Sequence, residues 1–222
     1  FLRVAFSEST DDVQRQFTRE LSEFKITPGM PLSYWVPRSL RELYSTSAYL
    51  DAERGDVDGE SFAEVVSGLC TGDDGRFVRR FWEACGDGNW VPFAKGGSDA
   101  WLVPRVVYML NWSPREMESQ TGARVQNADY YFSEGLSYTV AKETGRRFGY
   151  LHDSSIFSNK GSVLIPDRSI WNALSYTNSH LFTYLMLAQT PERMWQVGAV
   201  SKVSWHAELE ETELLGDLSK GA

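Results

Sequence analysis

The chain has 222 residues, of which 42% are hydrophobic and 14% aromatic, enough for a substantial core and too many for a disordered chain. Its net charge of −8 argues against a protein that coats nucleic acid non-specifically. No apolar run approaches the roughly 20 residues that span a bilayer. Residues 68–160 hold 11 basic and 11 acidic residues, so the acidic excess lies towards the ends and the middle can still present a local basic face.

The cysteines and the chain ends indicate where the protein works and whether it is whole. Cys70 and Cys85 have no metal-ligand spacing, which favours a reduced, cytoplasmic setting. The first residues, FLRVAFSESTDD, lack the apolar length of a signal peptide. There is no initiator methionine, and a helical pattern that starts near Leu209 breaks off at the end. We therefore expect a fragment of a longer protein, or a chain that has been processed or engineered.

Helices are predicted towards both ends of the chain. Residues 9–24 place apolar side chains on one face behind a capping Ser or Thr, and residues 37–50 form a second helix with proline at its start. Residues 51–60 are polar and are predicted to be a loop. Residues 178–188 form a buried helix.

Strands are predicted between these helices, where β-branched and aromatic residues alternate with glycine-rich turns. They cover residues 62–66, 90–93, 101–108, 130–132 and 162–165. The predicted fold class is α+β, an irregular mixed β-sheet flanked by helices at both ends.

Complete catalytic and cofactor motifs are absent from the sequence. It contains neither a dinucleotide fingerprint, nor a phosphate loop, nor a nucleophile elbow. His152, His180 and His206 are isolated, with no second ligand at a metal-binding spacing. We therefore predict no catalytic residue, no metal and no cofactor in this chain.

Three polar clusters stand out instead, and each has a purely structural alternative. The segment 68–76 (GLCTGDDGR) is a glycine-bounded turn that offers donors to phosphate or caps the next element. In residues 90–97 (WVPFAKGG), Lys95 precedes two glycines, which suits a ligand-binding turn or an ordinary hairpin loop. Residues 124–132 contain Arg124, Gln126 and Asn127, side-chain types that read guanine and adenine edges but also cap loops.

Taken in order, these clusters resemble a known family. PLSYWVP (31–37), GLCTGDDGRFVRRFWE (68–83), WVPFAKGG (90–97), NW (111–112), RVQNADYYFSEGLSYT (124–139) and residues 174–200 are similar to the region that follows the catalytic domain of large adenine-specific DNA methyltransferases. The nearest are PglX-like proteins of phage growth limitation and BREX defence, related DISARM methylases and fused type II restriction–methylation enzymes. This chain differs in having Asp74 where the family commonly has asparagine, and it lacks a second tryptophan near Phe81.

The resemblance implies a division of labour within a larger enzyme. The parent would transfer a methyl group from S-adenosylmethionine to adenine N6 of a flipped-out base, using a catalytic domain whose motifs do not occur here. Residues 1–60 would connect to that domain, 61–205 would form the target-recognition domain, and 206–222 would begin a C-terminal helix. The partners would be double-stranded DNA, the methyltransferase domain and other defence-system proteins.

Within that family picture, candidate DNA-binding residues can be assigned. Arg76, Lys95 and Arg124 would hold the backbone, Gln126 and Asn127 would read bases, and residues 154–160 are an alternative reader. The full candidate set is Thr71, Asp73, Arg76, Arg79, Arg80, Lys95, Gly96, Gly97, Arg124, Gln126, Asn127, Ser155 and Lys160. Two other hypotheses stay open: an interaction module that reads no bases, and an enzyme complete in itself.

Overall fold

The computed structural model describes residues 19–46, 48–96, 102–141, 147–191 and 194–209. The helices are α1 Leu21–Phe24, α2 Arg38–Thr46, α3 Ala52–Gly55, α4 Asp74–Phe77, α5 Pro114–Glu118, α6 Ile170–Thr177, α7 His180–Gln189 and α8 Val197–Val200. The strands are β1 Ala48–Tyr49, β2 Ala63–Val66, β3 Val78–Arg80, β4 Trp90–Ala94, β5 Tyr108–Asn111, β6 Gly135–Thr139, β7 Phe148–Leu151, β8 Ile156–Phe157, β9 Gly161–Pro166 and β10 Ser204–Trp205. The predicted α+β class is confirmed.

Two four-stranded sheets organise the described residues. The first has the order β2-β9-β6-β7 and is antiparallel throughout. The second has the order β3-β5-β4-β8, in which only β4 and β8 run parallel. A two-stranded pair joins β1, the first strand, to β10, the last one.

The first sheet is buried on both faces because successive side chains of a strand point to opposite sides. Val65 and Leu164 belong to a core shared with α6 and α7, whereas Val66 and Val163 belong to a second core under the other sheet. Aromatic rings fill the first core: Phe182 lies 5.3 Å from Phe148, measured between ring centroids. The second core fixes the second sheet against the first. One end of the second sheet lies at the surface.

Several predicted elements agree with the structure, and some end earlier than predicted. The strand predictions for 62–66, 90–93 and 162–165 match β2, β4 and β9 closely. The second helix stops at Thr46 because Ala48 and Tyr49 pair with β10. The helix at 178–188 begins only after Ser179, whose side chain accepts a hydrogen bond from the Phe182 N–H. Of the first predicted helix, residues 9–18 lie outside the described residues, as do 210–222 of the terminal one.

Three predictions were wrong. The strand predicted for 101–108 begins only at Tyr108 and runs to Asn111; Pro104, which has no N–H to donate, lies in the segment that stays irregular. The predicted loop at 51–60 contains α3, which the Asp51 side chain caps by accepting from the Arg54 N–H. Residues 130–132 are not a strand: Ala128–Tyr130 form a 3-10 helix entered through Asn127 in the left-handed conformation.

Candidate nucleic-acid interface

The glycine-bounded turn at 68–76 is held by hydrogen bonds on every side. Leu69 bridges to Ser158 and Cys70 to Arg124. Thr71 is buried, and its hydroxyl donates to Asp74 Oδ1 at 2.7 Å. Asp73 caps α4 by accepting from the Arg76 N–H at 3.1 Å. The capping role that the sequence left open is therefore present in Asp73, and the Thr71 hydroxyl is engaged by the Asp74 side chain.

The last residue of this turn, Arg76, and the next arginine, Arg79, are also occupied. Arg76 forms an ion pair with Glu116, and its guanidinium lies 5.4 Å from the Phe77 ring centroid. Arg79 donates to the carbonyl oxygens of Gly75 at 2.6 Å and Val78 at 2.8 Å. These contacts hold the turn against its neighbours, and a phosphate would have to compete with them.

A concentration of positive charge lies at one end of the second sheet. Arg80 ends β3, Lys95 follows β4, and both approach Tyr108 at the start of β5, with the Arg80 Cζ 4.7 Å and the Lys95 Nζ 5.5 Å from its ring centroid. Arg105 lines a narrow cleft of about 60 Å³ together with Lys95 and Tyr108. We call Arg80, Lys95, Arg105 and Lys160 the cationic end.

Lys160 joins the cationic end through Asp74 and Gly96. Its charge acts on the Asp74 carboxyl group, which forms an ion pair with Lys95. Gly96 has a φ of +71°, and a Cβ there would lie 2.7 Å from the carbonyl oxygen of Lys160. Only glycine fits both the left-handed backbone and this close approach. Gly97, the neighbouring candidate, lies outside the described residues.

Asp74 is, within the described part of the chain, the carboxylate that forms an ion pair with a side chain of the cationic end. Burial by itself would raise the pKa of Asp74, but hydrogen bonds from Lys95 and Thr71 outweigh it and hold that pKa below its ordinary value. The carboxyl group thus stays charged at neutral pH and neutralises one of the four cations. The cationic end keeps a net positive charge on an acidic protein.

The candidate base readers Gln126 and Asn127 use their amide donors inside the protein. Gln126 Nε2 donates to the Gly68 carbonyl at 2.8 Å, and Asn127 Nδ2 donates to the Ser67 carbonyl at 2.8 Å. The Asn127 side-chain oxygen accepts from Arg54 at 3.4 Å. Base reading by these two residues stays a prediction, and it would require these bonds to exchange. Arg124 is exposed beside them and touches Cys70 through its backbone.

The alternative reader, residues 154–160, is anchored rather than free along much of its length. Ser155 is buried, and its carbonyl oxygen accepts from the Phe132 N–H at 3.1 Å. Ile156 and Phe157 form β8 and lie in the second core. Ser154 and Lys160 are exposed at the two ends of the segment. The surface part of this segment that reaches the cationic end is therefore Lys160.

Sequence reasoning missed the aromatic and cationic residues that complete this region. The Tyr108 ring lies close to the cationic groups of Arg80 and Lys95, and Arg105 lines the cleft. Phe81 and Trp82 are exposed directly after Arg80. The only signal in the sequence was the run Arg79-Arg80-Phe81-Trp82, in which basic residues adjoin aromatic ones. Arginine–aromatic alternation is typical of surfaces that bind nucleic acid.

The described residues contain neither a candidate metal site nor a candidate membrane-spanning helix. Among them, no group of three or more His, Cys, Asp or Glu side chains is arranged to hold a metal ion. Nor does the part of the chain that the structure describes contain a helix both long and apolar enough to cross a bilayer.

Comparison with known proteins gives the region a context. The chain is 28% identical over 196 residues to the adenine-specific methyltransferase BrxX of Escherichia coli O9:H4 (strain HS), covering 82% of this chain and 15% of BrxX. This chain is a distant relative of BREX methyltransferases. It is also 20% identical over 204 residues to the adenine-specific methyltransferase PglX of Lacticaseibacillus casei (strain Zhang), covering 81% of this chain and 16% of PglX.

The relation to BrxX and PglX has a clear extent. The chain spans about one sixth of the length of these curated relatives. No protein-family profile matches it. The resemblance of the sequence motifs to adenine-specific methyltransferases of the BREX type is confirmed at the level of distant relationship.

Proposed function

We propose that this chain is the DNA sequence-recognition module of an S-adenosylmethionine-dependent adenine-N6 DNA methyltransferase in a phage-defence or restriction–modification system. Two adenine-specific methyltransferases related along most of the chain support the parent activity. The cofactor would bind in the parent's catalytic domain, and residues 1–60 would connect to it. The partners would be double-stranded DNA, that domain and other defence proteins, all in the cytoplasm.

The cationic end is the observation that carries this proposal. Arg80 and Lys95 converge on Tyr108, and Arg105 and Lys160 lie beside them. Within the described residues, Asp74 is the carboxylate that forms an ion pair with the group. Four cations at one edge, on a protein with a net charge of −8, are complementary to the phosphates of a duplex. Phosphate contacts here would set the orientation of the DNA, and side chains elsewhere would read bases.

Salt dependence of DNA binding tests the proposal. Because Asp74 neutralises Lys95, three of the four cations remain to neutralise phosphates, and the log–log slope of affinity against salt should be about −2.7, a loss of roughly fortyfold between 50 and 200 mM salt. Replacing Arg80 and Arg105 together with glutamine should reduce the magnitude of the slope by about 1.8. Fluorescence anisotropy with a labelled duplex measures both.

A matched pair of cations elsewhere serves as the control. Lys25 and Arg38 are exposed and belong to the N-terminal helical segment, so Lys25→Gln with Arg38→Gln removes the same charge without touching the cationic end. This control should leave the slope unchanged. A wild-type slope near zero would refute direct DNA binding, and equal effects of the two double variants would refute the cationic end as the contact.

A second candidate function is an interaction module of the same complex without base reading. The N-terminal segment favours it, because Leu21, Met30 and Leu32 have exposed fractions of 79%, 61% and 71%. Large apolar side chains exposed along one segment are typical of surfaces that pack against another domain. The salt titration separates the two functions, since packing of this kind does not depend on phosphate.

Replacing Asp74 with asparagine is expected to raise DNA affinity. The substitution removes the carboxylate that neutralises Lys95 but keeps an oxygen that accepts from the Thr71 hydroxyl. One freed cation should make the salt slope steeper by about 0.9. The control is Asp73→Asn, which removes the same charge one residue earlier and preserves the helix cap. An equal rise in both variants would mean that net charge alone, rather than release of Lys95, sets the affinity.

A further inference from the structure

Two aromatic side chains stand at the surface immediately beside the cationic end. Phe81 is 58% exposed and Trp82 is 63% exposed, although rings of this size are normally buried. Their ring centroids are 4.9 Å apart and their planes are nearly perpendicular, at 84°. We call this pair the aromatic turn. Exposed aromatic rings on an ordered segment mark a binding surface more often than a packing defect.

The backbone of the aromatic turn is fixed before any ligand arrives. The Phe81 N–H donates to the Val107 carbonyl at 3.0 Å, which ties the turn to the segment before β5. The Glu83 N–H donates to the Arg80 carbonyl at 2.9 Å, and the Glu83 carboxylate accepts from the Arg80 N–H at 2.9 Å. Binding therefore costs little backbone entropy at this point, which favours a role in recognition.

The charge beside the rings selects the kind of partner. The Arg80 guanidinium lies 5.6 Å from the Trp82 ring centroid as well as 4.7 Å from that of Tyr108. The Glu83 carboxylate is turned back onto the backbone of Arg80. A ligand that offers a flat apolar face and a negative charge a few ångströms away fits this arrangement, and a nucleotide has both.

We infer that Trp82, supported by Phe81, stacks on an unpaired nucleobase of the DNA held at the cationic end. The inference rests on the proposed function. A paired base in an intact duplex shows its faces only to its neighbours in the stack. An enzyme that flips a base out leaves the opposite base unpaired and a gap in the stack, and both expose a face. Arg80 then reaches the phosphate of the same nucleotide.

The test compares two duplexes of about 20 base pairs that differ in one feature. One is fully paired and the other carries a single unpaired 2-aminopurine, whose fluorescence falls when it stacks. The 222-residue chain is expected to bind the bulged duplex roughly tenfold more tightly than the paired one, and to quench its fluorescence. Trp82→Ala should abolish the preference and the quenching, while salt-dependent binding of the paired duplex persists.

Two further variants keep the test decisive. Trp82→Phe retains a ring and should restore part of the preference, which a misfolded turn would not do. Leu32→Ala removes an equally exposed apolar side chain outside the aromatic turn and should change nothing.

Each contrary result has a distinct meaning. Unchanged quenching and preference in Trp82→Ala would overturn the stacking role and leave the aromatic turn as a surface for protein contact. Equal weakening of both duplexes would overturn selectivity for an unpaired base. Absence of salt-dependent binding to either duplex would overturn the proposed function itself, and the stacking role with it.

Discussion

Replacing Phe182 with alanine is expected to lower the free energy of unfolding by about 4 kcal/mol. Phe182 is fully buried on α7, and its ring packs edge-on against Phe148, Tyr176 and Trp195 at centroid distances of 5.3, 5.4 and 5.7 Å. Alanine would remove the contacts with all three rings and leave a cavity between α7 and the first sheet. Urea denaturation followed by tryptophan fluorescence measures the loss.

The residue before it provides the matched control. Leu181 lies on the same helix but is 39% exposed, so Leu181→Ala removes a side chain from the surface without opening a cavity. Its effect should stay below about 0.5 kcal/mol. A similar loss in both variants would mean that helix propensity, rather than ring packing, determines the stability of this region.

Replacing Gly68 with alanine is expected to cost about 3 kcal/mol, the second largest effect. A Cβ at this position would lie 2.6 Å from the carbonyl carbon of Phe157 and would overlap its oxygen. That oxygen accepts from the Leu69 N–H at 2.9 Å, so the clash falls on the bond that ties the turn to β8. A backbone atom cannot rotate away as a side chain does, so the turn must move away from β8 instead.

Gly198→Ala is the matched control for this substitution. Gly198 lies inside α8, and a Cβ there would come no closer than 3.9 Å to Arg54. Alanine in a helix is more favourable than glycine, so the variant should be neutral or more stable by about 0.5 kcal/mol. The unfolding temperature should therefore fall in Gly68→Ala and stay the same or rise in Gly198→Ala. Equal unfolding temperatures would contradict the close approach of Gly68 to β8.

Local sequence patterns were sufficient for the elements whose environment is uniform. Residues 162–165 include the apolar Val163, Leu164 and Ile165, are mostly buried, and form a strand as predicted. Residues 130–132 have a similar composition but do not, because Asn127 is tethered to Ser67, sixty positions earlier. A bond between residues so distant in sequence leaves no trace in local propensity, and here it outweighs the propensity.

The sequence predicted the residue types of the candidate site, but not which of their side-chain groups are already bonded within the protein. Gln126 and Asn127 have the side-chain amides that suit base recognition. In the folded protein, these amides donate hydrogen bonds to the carbonyl oxygens of Gly68 and Ser67. The charge of Lys95 and Lys160 made them candidates from the sequence. Their shared interaction with Asp74 depends on the pairing of β4 with β8, which the sequence does not show. Exposure of Phe81 and Trp82 depends on their position at a sheet end, which composition does not encode.

The pairing of β1 with β10 has a consequence for biosynthesis. Ala48 is hydrogen-bonded through this ladder to the strand that contains Trp205, so the first strand emerges from the ribosome long before its partner exists. At synthesis rates of about 5–20 residues per second, the wait lasts roughly 10 to 30 s. During that interval Leu50 and Phe62, which are buried in the finished core, have no complete core to enter. Nascent chains of this protein are therefore expected to need chaperone protection until translation has passed Trp205.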